Sequence, residues 1–176
     1  MIKIVKIDTP LGEMVAGATD EGICLLEFTD RQALNTDLKD LSKRLMTTYA
    51  DGENKHIKKL VKQLKEYFAG KRKEFTVPLI TPGTEFQDDV WRELQNIPFG
   101  STRSYLDQAS AINKQDSVRA VANANGKNRI SIIIPCHRVL GSDGSLTGYA
   151  GGLQRKRWLL DHEKKYSGKA FDTTLF

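Results

Sequence analysis

Within its first 70 residues the chain switches between two apolar rhythms, and that switch restricts it to folds joining a small sheet to helices. Ile2, Ile4 and Ile7 alternate with Lys3 and Lys6, as in a half-buried strand. Thr9-Pro10-Leu11-Gly12 supplies turn chemistry, and residues 13–18 and 23–28 read as the next strands around Asp20-Glu21-Gly22. The period then lengthens. Leu34, Leu38, Leu41 and Leu45 line one helical face, as do Ile57, Leu60, Val61, Leu64 and Phe68, with Gly70 as a stop. Lys55, Lys58, Lys59, Lys62 and Lys65 fill the outer face of that second helix and read as solvated surface. Residues 74–79 are expected to form a last strand.

Thr81-Pro82-Gly83 marks a boundary, so a first α/β lobe is expected over residues 1–80 and a second over 81–176. Thr84 caps a helix carrying Phe86, Val90 and Leu94, and Pro98-Phe99-Gly100 ends it. Two short helices follow, Ser104–Ala109 and Ser117–Ala124, joined through Ala111-Ile112 and the polar turn Asn113-Lys114-Gln115. This is the outline of a helix-turn-helix, or of an ordinary αα-hairpin. Small residues fill the second helix (Ala120, Ala122, Asn123, Ala124), and Arg119 is its one long side chain. Such a helix either lets its backbone approach DNA closely or packs against another helix. A helix from Leu153 is expected to end at Asp161-His162-Glu163, and residues 167–176 read as a tail.

Charge and cysteine content narrow the chemistry. The net charge is +5, and residues 101–160 alone hold nine Lys/Arg against three acids. That placement fits an anionic partner or a solvated basic face. The longest purely apolar run, Ile132-Ile133-Ile134, cannot span a bilayer, and no signal-peptide stretch opens the chain. A cytoplasmic, monomeric protein with no membrane association is expected, its two cysteines reduced. Three histidines without metal-ligand spacing argue against zinc.

The two cysteines differ in setting. Cys24 lies within Ile23-Cys24-Leu25-Leu26 and reads as a buried structural thiol. Cys136 follows Pro135, which is expected to stop an apolar, β-branched strand, and it has His137, Arg138 and Asn128 near it in sequence. The loop Gly141–Gly152 lacks both phosphate-binding glycine patterns and is suited to wrap a flat ligand.

Pro135-Cys136-His137-Arg138-Val139, followed by a glycine-rich loop and Tyr149-Ala150-Gly151-Gly152-Leu153, resembles the O6-alkylguanine-DNA alkyltransferases. The match is strong over roughly residues 84–163 and covers the first lobe in general layout. The resemblance implies a ribonuclease-H-like first lobe and a mostly helical second lobe carrying the helix-turn-helix, an α+β class overall. It implies irreversible transfer of a methyl or other alkyl group from O6-alkylguanine in double-stranded DNA, with O4-alkylthymine a second candidate substrate. Cys136 would accept the group once, with no metal, nucleotide or methyl-donor cofactor. His137 would activate Cys136 through a bound water, Glu163 would orient His137, and Asn128 would brace the site. Tyr105 would help rotate the nucleotide out and donate to the base, and Arg119 would fill the gap in the stack. Ala120, Ala122 and Asn123 would meet DNA beside it, while Val139, Tyr149 and Ala150 would line the guanine pocket. Ala150 stands where some members carry a hydroxyl, and the zinc ligands of some first lobes are missing. Members that bind lesions without repairing them have tryptophan in place of the cysteine.

The residue types suit that reaction. An alkyl group on guanine O6 lies inside the stack, so the nucleotide must leave it at a cost of a few kcal/mol. A free thiol with pKa about 8.5 is roughly 3% ionised at pH 7. Lowering that pKa by about three units gains roughly 30-fold in thiolate but loses roughly 20-fold in nucleophilicity. Alignment of sulfur with the alkyl carbon and stabilisation of the leaving guanine must therefore contribute more. Two other classes fit parts of the pattern. A Cys-His-Glu thiol hydrolase would turn over esters or amides, although adjacent Cys136 and His137 disfavour direct triad geometry. A helix-turn-helix regulator would bind a fixed DNA sequence even as Cys136→Ala.

Overall fold

A computed structural model describes residues 1–168 and divides the chain into two compact units. Unit 1 comprises residues 1–83 with 129–131, and unit 2 comprises 84–128 with the chain from 132 onward. Residues 169–176, most of the expected tail, lie outside the described residues.

Unit 1 is built on strands β1 (Ile2–Thr9), β2 (Gly12–Ala18), β3 (Ile23–Phe28) and β4 (Tyr49–Asp51), in the order β3-β2-β1-β4. The first three form the expected antiparallel meander, and β4 runs parallel to β1. Every residue of β3 is buried, which requires cover on both faces of the sheet. Helix α1 (Leu34–Arg44) brings Leu41 against Ile2, Val15, Cys24 and Leu25, with Leu34 and Leu38 beside them. Helix α2 (Lys55–Phe68) is capped by the Asn54 side chain, buries Ile57, Leu60, Leu64 and Tyr67, and lies against β2.

Two expectations fail here. Residues 74–79 are not a strand. Pro78 has no N–H to give a ladder, and only an isolated parallel bridge joins Leu79 to Ile23. The fourth strand is instead the three-residue β4, too short to show a period. The chain also returns to unit 1 after residue 128. Leu26 donates to the Arg129 carbonyl and accepts from Ser131 N–H, both at 2.9 Å, so 129–131 extend the sheet at β3.

Unit 2 is mostly helical. Helix α3 (Glu85–Leu94) starts with a capping box between Thr84 and Gln87. Helix α4 (Tyr105–Ala111) has a second box between Ser104 and Asp107. The chain turns at Asn113 (φ 57°), passes through a 3-10 turn at Gln115–Ser117, and continues as α5 (Val118–Gly126). Asparagine tolerates that left-handed backbone. Two polar links hold the trio together. Trp91 Nε1 donates to Ala124 O at 2.9 Å, and the Gln108 and Asn125 amides bond reciprocally at 2.7 Å. Strands β5 (Arg103–Ser104) and β6 (Val139–Leu140) pair in parallel, and α6 (Leu153–Tyr166) closes the unit. It runs past its expected end, with His162 and Glu163 inside the helix.

Candidate active site

The segment before Cys136 is not the strand its β-branched composition predicts. Ile132 adopts φ 73°, a strained conformation for a β-branched residue, and the apolar run folds into turns with Ile130, Ile132 and Ile134 buried. Pro135 (φ −85°, ψ 62°) then sits at the centre of an inverse γ-turn, with Cys136 N–H donating to Ile134 O at 2.8 Å. A 3-10 turn, Cys136–Arg138, follows immediately. This tight path, rather than a strand end, fixes the thiol.

Asn128 holds the same place from the other side. Its Nδ2 donates to Ile134 O at 2.8 Å and to Cys136 Sγ at 3.3 Å. Cys136 is 9% exposed and opens on a cavity of about 500 Å³. Tyr105, Arg119, Ala122 and the backbone segment Thr147–Ala150 line that cavity with it. The two cysteines are not joined in a disulfide. Burial pushes the Cys24 thiol up to about 11, which keeps it inert.

Beneath Cys136 lies a buried ionic cluster. His137 Nε2 is 2.7 Å from Glu163 Oε1. Arg138 forks onto the same carboxylate, through Nε to Oε2 at 2.8 Å and Nη2 to Oε1 at 2.9 Å, and also donates to Ile97 O at 2.6 Å. Burial opposes ionisation of Glu163, but the hydrogen bonds from His137 and Arg138, with the Arg138 charge, hold its pKa far below the usual carboxylate range. Burial lowers the His137 pKa against the pull of Glu163, so the imidazole is neutral at pH 7. Facing an ionised carboxylate, Nε2 must carry the proton. That leaves Nδ1 as the basic nitrogen, buried without a hydrogen-bond partner among the described residues.

Tyr105 begins α4 and donates its hydroxyl to Thr147 O at 2.8 Å. Burial raises its pKa, so it stays a donor at neutral pH. Lys156 went unnoticed in the sequence. It is fully buried, and its Nζ donates to Val139 O at 2.5 Å, Thr147 O at 3.1 Å and Gly148 O at 3.2 Å. It thus fastens the loop whose carbonyl receives Tyr105. Its signal was its place on the buried stripe of α6 with Leu159 and Glu163, at spacings of three and four.

The remaining site residues fall in two places. Arg119, Ala120 and Asn123 are exposed on α5, while Ala122 is half-buried and lines the cavity. Tyr149 and Ala150 line it from the loop. Val139 does not. It is fully buried in β6, with its backbone paired to Arg103 and its carbonyl taken by Lys156.

Comparison with known proteins gives one answer over the full length. The family model described as 6-O-methylguanine DNA methyltransferase, ribonuclease-like domain, matches residues 2–81, and that described as its DNA binding domain matches residues 85–165. The constitutive methylated-DNA–protein-cysteine methyltransferase of Bacillus subtilis is 40% identical over 158 residues, covering 89% of this chain and 92% of its own. Its counterpart in Methanosarcina barkeri is 42% identical over 160 residues, covering 90% and 94%. The crystal structure of Mycobacterium tuberculosis OGT in complex with DNA superposes with a TM-score of 0.80 at 40% identity, covering 93% of this chain and 94% of that one. The Pyrococcus kodakaraensis O6-methylguanine-DNA methyltransferase gives 0.67 at 26% identity, covering 93% and 99%. With both halves of the chain matched in order, and Cys136 set between a bracing amide and a buried His-Glu pair, this chain belongs to the O6-methylguanine-DNA methyltransferase family.

Proposed function

We propose that this chain repairs double-stranded DNA by moving an alkyl group from guanine O6 onto Cys136, once per molecule. The observation that carries the reading is that the Cys136 thiol opens on a cavity also lined by Tyr105 and Arg119. Its volume of about 500 Å³ lies in the range of small-ligand sites and has room for an extruded purine.

Helix α5 enters a groove of the duplex, where exposed Ala120 and Asn123 let the backbone come close. The lesion nucleotide swings into the cavity, and the planar Arg119 guanidinium stacks in the gap. His137 Nδ1 takes the thiol proton through a bridging water, while Glu163 keeps the other ring nitrogen protonated. Asn128 N–H steadies the sulfur. The thiolate attacks the alkyl carbon, a new C–S bond forms, the C–O6 bond breaks, and its electron pair stays on guanine. A proton or hydrogen bond from the Tyr105 hydroxyl offsets that charge, with Tyr149, Ala150 and their backbone against the purine. The product is a thioether with no good leaving group, so no second turnover follows. The chain works as a monomer. Its exposed large apolar side chains, Met1, Met46, Tyr49, Leu106 and Leu153, are divided between the two units. No helix among the described residues is long and apolar enough to cross a membrane.

Intact-protein mass spectrometry tests the proposal. Duplex bearing O6-methylguanine should add one methyl mass to the Cys136 peptide at a limiting stoichiometry of one. An unmodified Cys136, or continued turnover, would refute it.

A further inference from the structure

The charge on helix α2 works against the helix's own stability. Between residues 55 and 73 stand seven lysines and one arginine, with Glu66 the single acid. Lys55, Lys58, Lys59, Lys62 and Lys65 all lie on α2, and all are exposed. At 3.6 residues per turn they share an arc of roughly 120°, opposite the side that buries Ile57, Leu60, Leu64 and Tyr67. Lysines three or four residues apart therefore face one another at 55–58, 55–59, 58–62, 59–62 and 62–65, each pairing destabilising. The first turn contains no acid, so Lys55 and Lys58 also oppose the positive end of the helix dipole. Helix α1 has the opposite, self-stabilising arrangement, with Asp37 in its first turn and Lys43 and Arg44 in its last.

Compensation on α2 is thin. Lys58 reaches Glu53 at 3.9 Å and Lys62 reaches Glu66 at 4.0 Å, while Glu66 is already held by Arg72 at 2.6 Å. A face of this kind gains most from an external polyanion. Nothing on the lysine arc could insert into a bilayer, because the apolar side of α2 is committed to the core of unit 1. Five cations spread over about 15 Å of helix, roughly one per 3 Å, approach the phosphate spacing along one strand of a duplex, about 3.4 Å of axis.

We propose that the outer face of α2 is a second contact surface for duplex DNA, gripping phosphates without reading sequence, in addition to α5. The choice of polyanion rests on the reading that the chain works on duplex DNA. The grip itself is independent of Cys136 and its chemistry.

The test uses full-length protein and an undamaged fluorescent duplex, titrated between 50 and 200 mM salt. A Lys55→Gln/Lys58→Gln/Lys62→Gln variant is compared with Lys6→Gln/Lys39→Gln/Lys43→Gln, which removes equal charge from exposed positions elsewhere in unit 1. The α2 variant should lower the magnitude of the slope of log K against log salt by about 2–3, near 0.9 per lost phosphate contact. The control should leave the slope unchanged, and both should transfer methyl from the free base at the wild-type rate. Equal slopes for wild type and the α2 variant, or equal losses in both variants, overturn the proposal. Should the α2 variant fold poorly, lysine acetylation of the wild-type protein decides. Protection of Lys55–Lys65 by duplex supports the surface. No protection, or protection by anionic phospholipid vesicles alone, overturns it.

Discussion

Lys156 Nζ lies 2.5 Å from the Val139 carbonyl oxygen, so one buried ammonium joins α6 to β6 and, through Thr147 and Gly148, to the loop over the cavity. Burial lowers its pKa to about 8, partly offset by Cys136. Lys156→Met keeps the length and removes the three donors. It is expected to slow alkyl transfer roughly 100-fold, the effect of misplacing a site by about 1 Å. Single-turnover kinetics check this, and an unchanged rate in a folded variant removes the lysine's positioning role.

Glu163 is shared by His137 and Arg138, so its charge cannot be removed alone without consequence. Glu163→Gln leaves the buried Arg138 guanidinium without its counter-charge, which should cost about 3–5 kcal/mol. For a chain of this size that corresponds to a melting temperature lower by roughly 10 °C. A melt within a degree or two of wild type would show that Arg138 finds another partner.

Arg119 is exposed on α5 at the cavity rim. Arg119→Ala is expected to slow repair of duplex O6-methylguanine by at least about 10-fold while leaving reaction with the free base nearly unchanged, since only extrusion needs the stacked guanidinium. Equal losses on both substrates would rule out that role.

Glu27 bears on unit 1 alone. Burial pushes its carboxyl up to about 7, against the pull of Arg31 and the hydrogen bond from Ser131. A folded pKa above the unfolded value near 4.5 means the folded state holds the proton more tightly. This contribution is complete below about pH 4.5 and is lost as pH rises through about 7. Wild type should therefore lose on the order of 3 kcal/mol relative to Glu27→Gln between pH 4.5 and 8. Denaturant melts across that range check the sign, and parallel profiles for the two proteins would refute it.

Much was legible in the residues themselves. Ile2, Ile4 and Ile7 against Leu34, Leu38, Leu41 and Leu45 set the meander and the first helix, because period two and period 3.6 are local properties. Thr84 placed the start of α3 for the same reason, since a cap is satisfied within three residues. The run Pro135–Val139 pointed to the family, and through that resemblance to Cys136 as the proposed alkyl acceptor. Tertiary structure decided the rest. It drew 129–131 into the sheet of unit 1, where β3 offered an unpaired edge, and bent the apolar run through Ile132 into turns. It also excluded Val139 from the cavity lining and set Lys156 beneath the loop. Those outcomes depend on partners distant in the chain, such as Leu26 for Arg129 and Val139 for Lys156. No local period or motif encodes which of two buried side chains faces a cavity and which faces the core.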